Sequence, residues 1–374
     1  MTNSISNISL IVNTYQKPRH LSLVLESILL QQGVAGRMEV IVTDDGSTDD
    51  TPAIVAAYAA TAPFPIRFIT QPHDGFRLAQ VRNRGARIAT GDSLLFLDGD
   101  CILPRDHVAA YLGRRRPGTA QLGYCARLSE ETLHSLVPDR LGEIDLVSVA
   151  PPAERRLLAQ RHRKAAWHSL VRHPSKPRLA GGNFGVCRTD FERINGFDER
   201  FIGWGQEDDD LGLRLRSIGV RLESILDRTF SLHVWHPSDP SATTRWRDGT
   251  NVNYFLRRGR LTSCRQGLVP RPIESLCWGL PKDLIATALG SQLSHLLAGA
   301  PCAHPGESCE IDIVIRPGVG RFLRPAECRL VLASHGTGSD WWLRRRADRI
   351  EIIPSNQNPE NYLPTLAALL SHVG

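Results

Sequence analysis

Three clusters of acidic residues give the chain its first chemical signature. Asp98 and Asp100 flank a glycine in DGD; alternate residues of an extended segment point the same way, and the glycine lets a ligand approach the backbone. Hard cations such as Mg2+ and Mn2+ take oxygen ligands and combine one or two carboxylates with substrate phosphates, so this turn suits a cation carrying a phosphorylated ligand. Asp44 and Asp45 open DDGSTD, a composition that also makes an ordinary turn and helix cap. Residues 207–210 are four consecutive acids, EDDD, behind the turn GWGQ. One or two acids offset a helix dipole. At ~100° per residue, however, Leu211, Leu215 and Ile218 mark a buried stripe with Asp208 at its leading edge, while Asp209 and Asp210 point away. An inward carboxylate is costly unless it is paired or lines a cleft.

The elements that must position these groups are legible in the first hundred residues. Apolar runs at 8–12, 39–42, 66–69 and 93–97 read as short buried strands, and 20–31, 51–60 and 78–89 have helical length and spacing. The alternation predicts an α/β domain with a parallel, doubly wound sheet, whose ligands bind at the carboxyl ends of the strands. The NTY segment with Asn13 and Tyr15, the DDGSTD turn and the DGD turn follow the first, second and fourth strands there. Residues 141–178 are basic; the stretch ERRLLAQRHRKAAWHSLVRH within them is roughly amphipathic, as in a solvated helix or one resting on an anionic membrane surface. Beyond residue 260 the pattern changes, with helical stretches at 284–297 and 362–373, strands in EIDIVI and RLVLAS, and no motif that carries chemistry.

Length and composition bound the rest. A chain of 374 residues implies two domains, or one with an appendage, and 41% hydrophobic with 22% charged residues is an ordinary globular balance. The net charge of +6 rests on arginine, because only Lys17, Lys164, Lys176 and Lys282 are lysines; arginine suits bidentate contact with phosphate. No nucleic-acid partner is expected, since the basic segment offers only charge. No apolar run approaches the ~18 residues of a membrane span and the N-terminus has no basic-flanked leader, so a cytoplasmic location is expected. The eight cysteines lack C-x(2–4)-C spacing and read as free thiols; Cys302, His304 and Cys309 come nearest to a zinc set.

Together the blocks LIVNTYQKPRHL, VIVTDDGSTDDT, RNRGARIATGDSLLFLDGDC and NGFDERFIGWGQEDDDLGLRL resemble the family 2 glycosyltransferases of the GT-A fold. The last block is also similar to the acceptor side of β-1,4-galactosyltransferases and bacterial chondroitin polymerases. The resemblance runs from about residue 8 to 237. It implies a Rossmann-like nucleotide-diphospho-sugar transferase domain over residues 1–260, with a small C-terminal α/β appendage over 261–374. It also implies a UDP-sugar donor read by Asn13, Tyr15, Asp44, Asp45 and Arg77, with Asp98 near the ribose. Asp100 and His233 would hold Mn2+ or Mg2+, with Asp98 and His236 in reserve. The acceptor sugar would meet Gly182, Asn183, Trp204, Glu207 and Asp209, and Asp208 matches the catalytic base. Asn13 and Gln16 depart from the family's usual Pro and Asn. The expected activity is inverting, metal-dependent transfer of a hexose or N-acetylhexosamine to a hydroxyl of a bacterial surface glycan or glycolipid, with peripheral contact to the inner membrane. The alternative is a non-catalytic nucleotide-sugar or glycan-binding protein on the same fold.

Overall fold

The computed structural model describes residues 7–237, 248–256, 259–279, 291, 307–316, 326–333 and 348–352, in two compact units, Met1–Phe255 and Leu256–Gly374. The first unit begins with the expected alternation: β1 (Ile8–Thr14), α1 (Pro18–Leu29), β2 (Met38–Asp44), α2 (Thr51–Thr61), β3 (Ile66–Thr70), α3 (Leu78–Ile88) and β4 (Ser93–Asp98). β1, β2 and β4 are apolar runs buried on both faces, as parallel strands under helices require. Next come β5 (Cys101–Ile102), α4 (His107–Arg114), β6 (Thr119–Leu122), β7 (Cys125–Arg127), α5 (Glu130–Ser135), α6 (Leu146–Val149) and α7 (Pro152–Leu170). The unit continues with β8 (Asn183–Cys187), α8 (Arg188–Arg193), α9 (Glu207–Ser217), β9 (Arg221–Ser224) and β10 (Ser231–His233).

The main sheet has the order β3-β2-β1-β4-β8-β6-β9. The parallel pairing expected from the alternation of the first hundred residues holds for their four strands. β1 to β4 are parallel, but β8 is antiparallel to both β4 and β6, with Phe96 opposite Phe184. Strict β-α alternation, the only signal for parallel pairing, stops at Asp98, so the second half of the sheet had no such constraint. β8 is fixed instead by stacking of Phe96 on Phe184 at 4.8 Å, with Phe191 and Phe197 closing the cluster. β10 lies between β5 and β7 in a small second sheet, with His233 opposite Cys101.

Two local devices aim the site. In RNRG, a Cβ at Gly85 would come within 2.6 Å of Thr43 and 2.7 Å of Ile11, so glycine allows α3 to lie close on the sheet and carries Arg82 to the strand ends. Asn83 beside it donates to the Phe197 carbonyl (2.8 Å) and accepts from the Phe197 N–H (2.9 Å), pinning the loop that leads to α9. That loop turns through positive φ at Gly203, Gly205 and Gln206, and Asn251 of the helix Thr250–Phe255 holds the Gly205 carbonyl at 3.0 Å.

In the second unit, β11 (Trp278–Gly279), β12 (Cys309–Arg316), β13 (Ala326–Ala333) and β14 (Arg349–Ile352) form a parallel sheet in that order. EIDIVI lies within β12, and RLVLAS overlaps β13. The helices expected at 284–297 and 362–373, and Cys302 and His304, lie outside the described residues apart from Ser291.

Candidate active site

A cavity of about 480 Å3 opens at the carboxyl ends of β1, β2 and β4, where an open α/β sheet receives ligands. Of the residues singled out by sequence, Asn13, Tyr15, Asp45, Asp98, Asp100, Trp204, His233 and His236 line it; Lys17 and Phe76 line it as well, unforeseen. Asp45 is buried and accepts from Gln71 Nε2 (2.7 Å) and from the Arg77 N–H (3.3 Å). Tyr15 lies flat on His73, with ring centroids 4.3 Å apart.

Three of the expected donor residues do something else. Asp44 spends both oxygens inside its own turn, accepting from Gly46 and Ser47 N–H, the Ser47 hydroxyl and the Thr70 hydroxyl; it shapes the loop and does not line the cavity. The Arg77 guanidinium is turned onto Asp74, so its backbone N–H, not its charge, is what reaches Asp45. Asn13 donates to Asp98 Oδ1 at 3.0 Å and so orients the first carboxylate of DGD.

Asp100, His233 and His236 offer ligand atoms that all lie within 4.8 Å of one another. His236 Nε2 is 3.2 Å from Asp100 Oδ2 and His233 Nε2 is 3.7 Å from Oδ1, so the reserve histidine stands nearer the carboxylate than the first choice. His236 Nδ1 faces the Pro237 carbonyl at 2.9 Å; with a cation bound, an N–H there would leave the Nε2 lone pair for the ion, the usual orientation of a metal-binding imidazole. Burial acts to raise the Asp100 pKa, but the His236 hydrogen bond and the nearby charges of Lys17 and His233 hold it well below the ordinary range. The Asp100 bond raises the His236 pKa, and burial lowers that of His233. Lys17 Nζ sits 2.9 Å from Asp100 Oδ2, a positive charge already balancing this carboxylate. One carboxylate and two imidazoles are a donor set that fits a divalent transition ion such as Mn2+.

The acid run is tied to this turn by a residue that sequence reasoning passed over. Arg82 is 1% exposed and donates to Asp98 Oδ1 (2.9 Å), Asp208 Oδ1 (2.9 Å), the Gly181 carbonyl (3.0 Å) and Asn13 Oδ1 (3.3 Å). One guanidinium therefore joins the DGD turn to the EDDD run. The signal was present: Ala79, Arg82 and Ala86 share the sheet-facing stripe of α3, and an arginine on a buried stripe demands carboxylates. Asp208 Oδ2 accepts from the Gly181 N–H at 2.8 Å, and the Asp98 N–H donates to the Gly182 carbonyl at 3.2 Å. A Cβ at Gly181 would overlap the Asp208 carboxylate, and one at Gly182 would come within 2.7 Å of Asp98 Oδ2. The glycine pair is what lets both carboxylates close on this strand.

Burial raises the Asp208 pKa, with Arg82 opposing and Asp98 reinforcing the shift. Burial and then the Asp208 charge push Glu207 up to about 8, and burial pushes Asp209 up to about 6 against the pull of Arg178. Asp209 and Asp210 do not point away as the helical projection suggested. Asp209 is buried 3.4 Å from Arg178, and Asp210 is fully buried and accepts from Arg214 Nε at 2.7 Å. Loops pack over the N-terminal turn of α9, so the projected outer face is covered. Asn183 also differs from the acceptor role expected of it. Its Oδ1 accepts from the Tyr111 hydroxyl (2.9 Å) and its Nδ2 donates to Ser231 Oγ (3.1 Å), deep in the core. As the first residue of β8 its side chain takes the inward face. Trp204 is exposed at the mouth, and the Gly203 N–H donates to the Phe76 carbonyl at 2.8 Å, which brings the two aromatic loops together.

Residues 9–116 match the model of glycosyl transferase family 2, and residues 161–236 match that of the N-terminal domain of galactosyltransferase. The two matches span every element that lines the cavity. The chain carries a glycosyl transferase family 2 domain. The mixed α/β sheet is the GT-A architecture of that family. Among curated relatives, validoxylamine A glucosyltransferase of Streptomyces hygroscopicus subsp. jinggangensis is 30% identical over 285 residues, covering 69% of this chain and 62% of the relative. Hyaluronan synthase of Pasteurella multocida is 28% identical over 276 residues, covering 70% of this chain and 28% of the synthase. Chondroitin synthase of Escherichia coli is 25% identical over 265 residues, covering 67% and 38%. The chain spans about three fifths of the length of the two glucosyltransferases it matches and less of the synthases. Among the described residues, no helix is long and apolar enough to cross a membrane.

Proposed function

We propose that the chain transfers a hexose or N-acetylhexosamine from a UDP-sugar to a hydroxyl of a bacterial surface glycan or glycolipid, with inversion and with Mn2+ or Mg2+. One observation carries the reading: Arg82 holds Asp98 and Asp208 in a single ion-paired unit. The bridge ties Asp208, which is not among the residues lining the cavity, to Asp98, which is. In this scheme Asp45 and Tyr15 take the base, and Asp98 takes the ribose. Asp100, His236 and His233 would hold the cation, which when bound supplies charge neutralisation for the departing diphosphate. Trp204 and Phe76 offer apolar faces to the acceptor sugar. Asp208, with its proton affinity raised by burial, accepts the proton of the attacking hydroxyl. The new bond to the anomeric carbon forms as the bond to the diphosphate oxygen breaks, from opposite sides, so an α-linked donor gives a β-linked product. No step is assigned to the C-terminal unit.

The test is release of UDP from a panel of UDP-sugars with Mn2+ or Mg2+, with and without glycan acceptors. A protein that only binds releases none. If no UDP-sugar is turned over under any of these conditions, the proposed reaction is wrong.

A further inference from the structure

The reaction leaves one large feature unused. From residue 155 to 189 the chain contains no aspartate or glutamate, yet nine lysines and arginines. The first half of this stretch is largely α7, which is fastened to the body along one stripe. Leu158 and Ala165 are buried, His162 Nδ1 lies 3.1 Å from Ser224 Oγ, and Ser169 Oγ donates to the Leu222 carbonyl at 2.9 Å. At ~100° per residue, the direction opposite that stripe belongs to Trp167, with Arg156, Arg163, Leu170 and Val171 within about 60° of it. Trp167 is 61% exposed, Leu170 76% and Val171 47%. Next to this apolar tip, Arg172, His173, Arg216 and Arg221 line a pocket of about 440 Å3. Arg216 donates to the Pro177 carbonyl and Arg221 lies 3.3 Å from Glu223, whereas the Arg172 guanidinium has no partner among the described residues.

We propose that the C-terminal end of α7 rests on an anionic phospholipid surface, with Trp167, Leu170 and Val171 entering the interface and a headgroup phosphate received in the pocket by Arg172 and Arg216. The two halves of the feature point to the same occupant. A soluble phosphate would need the arginines but not an exposed tryptophan beside two aliphatic side chains. A stable protein partner needs about 800 Å2 from each side, more than three side chains supply. Trp and aliphatic residues at the level of the headgroups, flanked by lysine and arginine, are what a bilayer interface selects. Basic residues near an anionic surface strengthen such binding. The proposal does not depend on which sugar, if any, the cavity transfers.

The test is co-sedimentation of the full chain with vesicles of phosphatidylcholine alone and of phosphatidylcholine with phosphatidylglycerol. Binding at least roughly tenfold stronger to the anionic vesicles is expected at low salt, falling as salt screens the charges. Trp167→Ser with Leu170→Ser, and separately Arg172→Glu, should each lower that binding roughly tenfold while leaving the Tm unchanged, because all three side chains are exposed. Binding that ignores lipid charge, or that survives Trp167→Ser with Leu170→Ser, overturns the proposal. So does binding of inorganic phosphate at the Arg172 pocket without recruitment to vesicles, which would make it a site for free anions.

Discussion

Glu207→Gln probes the electrostatics of the acid run directly. Glu207 is 6% exposed, and its Oε2 has no hydrogen-bond partner among the described residues. Burial first, and then the charge of Asp208, carry its carboxyl from the ordinary 4.5 to about 8, with Arg82 opposing in part. A carboxyl whose pKa is raised by folding binds its proton more tightly in the folded state. Its effect on stability is therefore absent below the unfolded pKa near 4.5, and stability is lost as pH rises from there to about 8. At 1.36 kcal/mol per pH unit, the loss is on the order of 3 kcal/mol at pH 7 and on the order of 5 kcal/mol above pH 8. Glutamine is the neutral isostere of the protonated acid. Glu207→Gln should thus match wild-type stability near pH 4.5 and exceed it increasingly toward pH 8, by about 3 kcal/mol at pH 7. Denaturant midpoints across pH measure this. Turnover at pH 7 should stay close to wild type, because Glu207 is already mostly neutral there, and any alkaline loss of activity near pH 8 should vanish in the variant. If the two proteins unfold at the same denaturant concentration at pH 8, with parallel pH dependence, Glu207 is ionised in the folded chain and burial does not dominate its environment.

Asp208→Asn should reduce turnover of the proposed reaction by roughly 100-fold or more, the scale of general-base loss, while UDP affinity by calorimetry stays within error; wild-type turnover would remove Asp208 as the base. His236→Ala should weaken Mn2+ binding by at least the roughly 10- to 100-fold that follows loss of a mere outer-shell partner, read by calorimetry without substrate, and unchanged affinity would exclude His236 as a ligand. Arg82→Met leaves two carboxylates and the Gly181 carbonyl without their shared donor, and should destabilise the fold by about 3 to 5 kcal/mol in chemical unfolding; a change below about 1 kcal/mol would mean that the bridge is weak.

Much of this was legible before the structure. Strands buried on both faces show as unbroken apolar runs, and their ends coincide with polar clusters, so β1, β2 and β4 and the floor of the cavity could be read directly. β8 could not, because antiparallel pairing with β4 depends on a phenylalanine cluster assembled from residues 96, 184, 191 and 197, and no local pattern encodes that. The same limit explains Asn183, whose position beside two glycines looks like a ligand contact until the strand's alternation turns it inward to Tyr111 and Ser231. Projection onto a helix placed Asp208 correctly but misread Asp209 and Asp210, since it treats one side as solvent and the first turn of α9 has protein on both. Arg82 is the instructive omission. RNRG entered only as part of a motif block, whereas the sheet-facing stripe of α3 already contained a charge that only buried acids could satisfy.

Why the chain tolerates four adjacent acids then follows from where each one ends. Asp210 is neutralised inside the fold by Arg214, which also donates to the Ile194 and Gly196 carbonyls. Asp209 meets Arg178. Glu207 gives up its charge by retaining a proton. Asp208 alone shares its counter-ion: Arg82 must serve Asp98 as well, so one positive charge is divided between two carboxylates while burial works against ionising Asp208. Burial under a divided counter-ion raises the proton affinity of Asp208, the direction that the proposed base requires. The acid run is thus three residues paired or neutral within the fold around a fourth, Asp208, whose counter-ion is shared with the DGD turn.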